Sequence, residues 1–377
     1  MASNVTNGTR STLGEIEYQE FLDNDIPATI FLIFLSVVGT IGNTHTIVVY
    51  MLSPIMSNYS VRVFIIWIAS IDLTACLFGM PFENIVMRYS YTFSSVGACK
   101  FFKFLNHIST GASTLLLTAI AIERYKMVVK KSPILITNSQ RSNAISAVLL
   151  VLVLVLSIPA VVFYGLNENK TKILGLSGKE CRLLLEYQNI RNAGAYYSIV
   201  LVIGLVCVFV CIVSYGRILY EICSQREWRK SQREKSNSSS YSASNIRSEI
   251  AQVTSSIQNE ELQIKKLQTG CGDKTKKKCI KSSHNLGNAI QLTINLLIAT
   301  AISLIGYLVY VVTKMVEISY PNIFKNIIKT VSNILLHGYF VNNAANSIVF
   351  FLLDRTFRQE CLKLYGKIFL KKHISPA

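Results

Sequence analysis

The chain has 377 residues, of which 51% are hydrophobic and 16% charged, with a net charge of +17 and a mean hydropathy of +0.39. Soluble globular domains carry about 25% charged residues, so this composition excludes a soluble enzyme and points to a chain embedded in membrane. The five His residues (45, 107, 284, 337 and 373) form no catalytic or metal-ligating spacing, and no Gly-rich phosphate loop occurs.

Residues 1–26 are polar and acidic, with Glu15, Glu17, Glu20, Asp23 and Asp25 against Arg10, and read as a solvated tail. Seven apolar stretches follow, at about 27–52, 61–87, 99–129, 143–165, 193–222, 287–313 and 327–353. Each is near or above the ~20 residues a helix needs to cross a bilayer. Backbone in lipid must satisfy its own hydrogen bonds, so these spans are helices rather than strands. The first is too long for the apolar region of a cleaved signal peptide and reads as an uncleaved signal-anchor. Lys and Arg crowd the connections after spans three and five and the C-terminal segment, with one more where the second span begins. By the positive-inside rule this puts the N-terminus outside and the C-terminus inside. The basic excess then reads as contact with anionic membrane lipids, not as a nucleic-acid patch.

With that topology, three sequons beginning at Asn4, Asn7 and Asn169 fall outside as glycosylation candidates. Residues 223–285 form a long inner loop, rich in Ser and Lys and expected to be mostly disordered. Within it, Ile246, Ile250, Val253, Ile257, Ile264 and Leu267 make an apolar stripe that predicts an amphipathic helix. Residues 354–377 carry an apolar side (Phe357, Leu362, Leu364, Ile368, Phe369) and a basic one (Lys363, Lys367, Lys371, Lys372). That pattern predicts a helix lying on the inner membrane face, with Cys361 placed for palmitoylation. No internal repeat is present, which weighs against inverted-repeat transporters.

Polar groups inside apolar spans are costly and mark function by default. Here they are Gly42-Asn43 in the first span, Ser70-Ile71-Asp72-Leu73 in the second and Ser113 in the third, which closes on Glu123-Arg124-Tyr125. The seventh ends Asn342-Asn343-Ala344-Ala345-Asn346-Ser347-Ile348-Val349-Phe350, followed by Leu353-Asp354-Arg355-Thr356-Phe357-Arg358. Cys99 opens the third span and Cys181 precedes the fifth, both on the outer side, where disulfides persist. Over about residues 27–370 this set resembles the rhodopsin-like (class A) G-protein-coupled receptors.

The resemblance implies an all-α, seven-transmembrane helix bundle at the plasma membrane, with an eighth helix and a Cys99–Cys181 disulfide. It implies a sodium site of Asp72, Ser113, Asn342 and Asn346, whose oxygen ligands suit a hard cation; no other cofactor is expected. It also implies an activation switch built from Glu123, Arg124, Tyr125, Tyr215, Asn346 and Phe350. In it Arg124 pairs with Glu123 at rest and swings free to engage a heterotrimeric G protein. The pattern is eroded in places. Ser347 and Phe350 stand where relatives have Pro and Tyr, Leu149 lies near the place of a fourth-span Trp, and Cys207 replaces the fifth-span Pro. Ser303-Leu304-Ile305-Gly306 replaces the sixth-span Cys-Trp-x-Pro, and no acid stands in His284-Asn285-Leu286-Gly287-Asn288 to clamp the Arg. The resting state is therefore expected to be loosely held.

Family spacing places Asn106 where amine receptors carry an Asp, and Phe340 where opsins carry the retinal-linking Lys. Neither an amine receptor nor an opsin fits. Pocket candidates are Glu83, Asn106, His107, Tyr307, His337 and Tyr339, with Glu83 placed to meet a basic ligand. An extracellular peptide, as in neuropeptide receptors, is the favoured ligand; a small-molecule chemosensory receptor is the alternative. A channel or transporter would need broken or charge-lined spans, and a non-signalling decoy is favoured only by the eroded motifs. The Ser-rich inner loop is the expected contact for receptor kinase and arrestin.

Overall fold

The structure is a computed structural model that describes residues 12–56, 61–130, 139–170, 176–187, 190–253, 272–320 and 329–373. Its helices are α1 (Thr12–Leu52), α2 (Arg62–Arg88), α3 (Val96–Val128) and α4 (Ser139–Phe163), then α5 (Ala195–Val253) and α6 (Gly272–Ser319). The seventh span is split: α7 (Lys329–His337), a 3-10 turn at Gly338–Phe340, and α8 (Val341–Leu353). A last helix, α9, covers Arg355–His373. The spans pack as one bundle in which α3 is central, touching α2, α4, α5 and α6.

Apolar side chains point outward as well as inward. Val148, Val151, Val155 and Ile158 of α4, and Val202, Val206 and Phe209 of α5, are all exposed. A continuous apolar exterior on this scale suits lipid and not water. Two spans widen into a π-turn just before a proline: Phe21–Asp25 before Pro27 and Ala75–Gly79 before Pro81. The cause is local, because a proline lacks the N–H and its ring crowds the carbonyl four residues back.

Three expectations are corrected. The acidic tail is not all solvated coil: from Thr12 it is helical and runs into the first span. Residues 223–253 and 272–285 of the inner loop are helical extensions of α5 and α6. From Arg217 to Val253 the chain has no Gly or Pro and is rich in Glu, Arg, Lys and Gln, all compatible with continued helix. The stripe residues Ile246, Ile250 and Val253 lie on α5, whereas Ile257, Ile264 and Leu267 lie outside the described residues. The third correction is a β-hairpin between the fourth and fifth spans.

That hairpin pairs β1 (Tyr164–Lys170) with β2 (Ser177–Leu183) in antiparallel register, Leu166 opposite Cys181. Its strands, YGLNENK and SGKECRL, lack the apolar alternation that announces a strand. It is held instead by neighbours. Cys181 is disulfide-bonded to Cys99 at the start of α3, with Cα atoms 5.6 Å apart. Lys179 N donates to Tyr91 O (2.7 Å), and Gly178 sits where any Cβ would collide with the Tyr91 backbone. Asn167 closes the far end, donating to Leu183 O (2.5 Å) and accepting from Leu185 N (3.2 Å).

At the opposite end α9 is capped by Asp354, which accepts from Phe357 N (3.0 Å), and is tied to the end of α1 by Ser53 Oγ donating to Glu360 (2.7 Å). Burial pushes the Asp354 carboxyl up, partly countered by the backbone amides it caps. Cys361, expected as an acylation site, is turned into the cluster around Phe357 and is only 6% exposed. Replacing Cys181 with Ser should lower the thermal stability of the detergent-purified protein by about 2–5 kcal/mol, the usual effect of losing a native disulfide. A melting curve matching the parent would contradict this placement of the bridge.

Candidate functional site

A cavity of about 440 Å³ opens at the disulfide end of the bundle, and spans two to seven contribute to its wall together with Glu20 and Asp25 from the start of α1. All six residues predicted for a pocket, Glu83, Asn106, His107, Tyr307, His337 and Tyr339, line it. Their setting differs from expectation in one respect. Glu83 is not an acid awaiting a cation, because Lys103 Nζ lies 2.7 and 2.9 Å from its two oxygens. Asn106 Nδ2 also donates to it (2.7 Å), and His337 Nε2 lies 3.5 Å away. The carboxylate is 2% exposed, and a buried charge persists only when paired in this way. Lys103 was missed by sequence reasoning. Its place one turn before Asn106, on the same α3 face, was the signal that could have found it.

A cluster of tyrosines lines and backs part of the wall. Tyr164 and Tyr197 share a hydroxyl hydrogen bond (2.9 Å), Tyr197 reaches Tyr310 (3.4 Å), and His107 packs on the Tyr164, Tyr196 and Tyr197 rings. Tyr307 crosses to α5 and donates to Val200 O (2.7 Å); Gly204 leaves the room that its ring occupies. Sequence reading named only Tyr307 of these, because tyrosines spread over β1, α5 and α6 show no common spacing. At the mouth, Arg182 of β2 bridges Glu180 (2.7 Å) and Glu317 of α6 (3.7 Å), and Glu317 also takes Lys314 (2.8 Å). Burial pulls the Arg182 guanidinium down, but Glu180 and Glu317 outweigh it and hold it above its ordinary value.

Deeper in the bundle Asp72 is fully buried. It accepts from Ser113 Oγ (2.5 Å), Asn343 Nδ2 (2.9 Å) and Asn346 Nδ2 (2.9 Å), joining α2, α3 and α8. Asn343 takes the place expected for Asn342. The Asn342 side chain is buried and makes no hydrogen bond, and the amide oxygens of Asn343, Asn346 and Asn43 also lack donors. Asn43 Nδ2 adds α1 to the network through Asn343 O (2.8 Å). Among the described residues, no group of three or more His, Cys, Asp and Glu could hold a metal. A cation here would rest on one carboxylate and neutral oxygens, the donor set of a weakly bound hard ion.

At the far end Arg124 is 2% exposed. The expected Arg124–Glu123 pair is replaced: Glu123 takes Lys126, one helical turn on (3.1 Å). Adjacent residues on a helix diverge by about 100°, whereas i,i+3 neighbours share a face. Tyr125 packs with the α5 cluster, and Tyr215 bonds Thr300 of α6 (3.4 Å). Phe350, standing where relatives have Tyr, joins Tyr50 and Phe357 in an aromatic cluster with centroids 6.2 to 6.3 Å apart. The fourth span lacks its expected Trp, and Trp67 of α2 instead donates to Asn143 of α4 (3.0 Å). Of the sequon residues, Asn169 lies on β1, and Asn4 and Asn7 lie outside the described residues.

Residues 42–350 match the 7 transmembrane receptor (rhodopsin family) profile. The chain belongs to that family and is a multi-pass membrane protein, not an enzyme. The cholecystokinin receptor type A of Oryctolagus cuniculus is 31% identical over 197 residues, covering 51% of this chain and 44% of the relative. The Homo sapiens receptor of the same name is 27% identical over 267 residues, covering 68% and 60%. Neuromedin-U receptor 1 of Homo sapiens is 38% identical over 108 residues, covering 28% and 24%. The chain thus spans 43% to 60% of the length of the cholecystokinin receptors it matches. Squid rhodopsin superposes with a TM-score of 0.62 at 14% identity, covering 94% of this chain and 87% of its own, a likeness of fold.

Removing one member of the buried Glu83–Lys103 pair should be far worse than removing both. Lys103→Met alone should destabilise the purified protein by about 3–5 kcal/mol, because it strands a buried carboxylate. Lys103→Met with Glu83→Gln should recover most of that loss in thermal melts. Equal melting temperatures for the single and double variants would show that the two groups are not coupled.

Proposed function

We propose that this protein is a receptor for an extracellular peptide that activates a heterotrimeric G protein. The observation that carries the reading is the cavity at the disulfide end, lined by spans two to seven and separated from the buried Arg124 by the Asp72 network. A ligand that shifts helices around the cavity would bias that network, and with it the opposite face, between two arrangements. The peptide class is supported by relatives named as cholecystokinin and neuromedin-U receptors. It is also supported by a mouth roofed by a hairpin and bearing paired charges, which offers backbone and side-chain partners to a chain-like ligand. The small-molecule alternative keeps the same cavity and the same output.

The orientation follows the charge asymmetry, with the hairpin outside and α9 along the inner membrane face. Receptor kinase and arrestin would use the Ser-rich segment after the fifth span. Asp72, Ser113, Asn343 and Asn346, with the nearby Asn342 amide, would hold a sodium ion. Bound there, the ion would supply positive charge to the buried carboxylate and favour the resting arrangement.

The test is to express the protein with a promiscuous G protein and to screen peptides and metabolites for calcium release. A peptide agonist is expected. Agonist-free output should exceed that of mock-transfected cells, because residues 284–288 at the inner end of the sixth span supply no acid. Arg124→Ala should abolish both signals with surface expression retained, and a ligand-gated current without G protein would instead make the protein a channel. Exchanging sodium for choline should raise basal output of the parent, and Asp72→Asn should remove that response. An unchanged sodium response in Asp72→Asn would refute the ion site while leaving the receptor reading intact.

A further inference from the structure

We infer that the helical segment preceding the first span is a strap that holds down the hairpin roof of the cavity, with Glu17 as its positioning residue. Glu17 lies in the acidic stretch that composition alone assigns to solvent, yet it is only 2% exposed. Its carboxylate accepts from three donors of one dipeptide in the loop between α2 and α3. Tyr91 N donates at 2.7 Å and Thr92 N at 3.0 Å, while Thr92 Oγ1 lies 2.9 and 3.1 Å from the two oxygens. Arg88 adds a charge at 3.8 Å, and its guanidinium lies over the rings of Tyr18, Phe21 and Tyr89 at 5.0 to 5.6 Å. Hydrogen bonds to an ionised, buried acceptor are among the stronger ones a protein makes.

The same dipeptide touches the roof. Tyr91 O accepts from Lys179 N, and Thr92 pairs with Lys179 in an isolated parallel bridge, so residues 91–92 are tied to the edge of β2. β2 carries the disulfide cysteine and, next to it, Arg182 at the cavity mouth. Glu17 therefore reaches the roof through one intermediary. The strap also enters the wall itself. Glu20 takes the Tyr91 hydroxyl (3.0 Å), Asp25 takes Asn333 Nδ2 of α7 (2.5 Å), and both acids line the cavity. Burial, then the bond to Glu20 and the carboxylates around it, push the Tyr91 phenol well above its ordinary value, so it stays a donor. The strap, the loop and β2 form one connected layer, and loosening Glu17 frees the cover over the ligand. This consequence for the ligand rests on reading the cavity as the ligand site.

The test is hydrogen exchange on the full-length, detergent-purified protein. In Glu17→Ala, amides of residues 90–94 and 177–183 should exchange about tenfold faster or more, while α3 and α8 keep parental rates. Thr92→Val, which removes only the hydroxyl donor, should show the same pattern at smaller amplitude and covers the case where Glu17→Ala does not fold. Parental exchange at 177–183 in both variants would overturn the inference, as would acceleration spread evenly over α3 and α8. This measurement needs no ligand, so it stands if the receptor reading fails. With a peptide agonist from the screen, dissociation should be faster in both variants, and unchanged dissociation would show that the roof does not retain the ligand.

Discussion

Everything in this bundle depends on how a single carboxylate survives in lipid-embedded protein. Asp72 is fully buried, so the fold must bring donors to it. Those donors come from helices far apart in sequence: Ser113 on α3, Asn343 and Asn346 on α8. Each hydrogen bond offsets part of the desolvation of the acid, and each fixes the rotation of one helix about its own axis. A helix that turned by one residue would withdraw its donor and leave the charge exposed to hydrocarbon. Apolar packing between helices is weakly directional, since lipid tails are as apolar as leucine. The acid thus supplies the orientation that the hydrophobic spans cannot supply themselves.

The same logic accounts for what could be read in advance. The spans are legible because length and hydropathy are properties of contiguous sequence, and the helical state follows from backbone chemistry alone. Asp72, Ser113 and Asn346 are legible because a polar group in an apolar run stands out. The choice of Asn343 over Asn342 is not. Adjacent amides point about 100° apart on a helix, and which one meets the acid depends on the phase set by the broken turn at Gly338–Phe340.

What remained hidden is pairing between distant segments. Glu83 stands out as a buried acid, but its neutralisation by Lys103 requires α2 and α3 to meet. The hairpin and the Glu17 contacts have no periodic signature, since their cohesion comes from backbone groups and one disulfide rather than from an apolar face. Glu123-Arg124-Tyr125 shows the converse. The triplet is plain in the sequence, yet local helix geometry sends Glu123 to Lys126. Motifs announce that a position matters; the partner is decided by geometry.

The lengths of α5 and α6 carry a mechanical consequence. From Tyr307, beside the cavity, α6 runs back to Gly272 as unbroken helix, and at 1.5 Å per residue that arm is about 50 Å long. It acts as a lever. A tilt of about 5° at the cavity, too small to disturb side-chain packing there, would carry the far tip through about 4–5 Å at this rise per residue. A ligand need then supply only a slight wedge, and the rigidity of the rod converts it into a displacement that a second protein can feel.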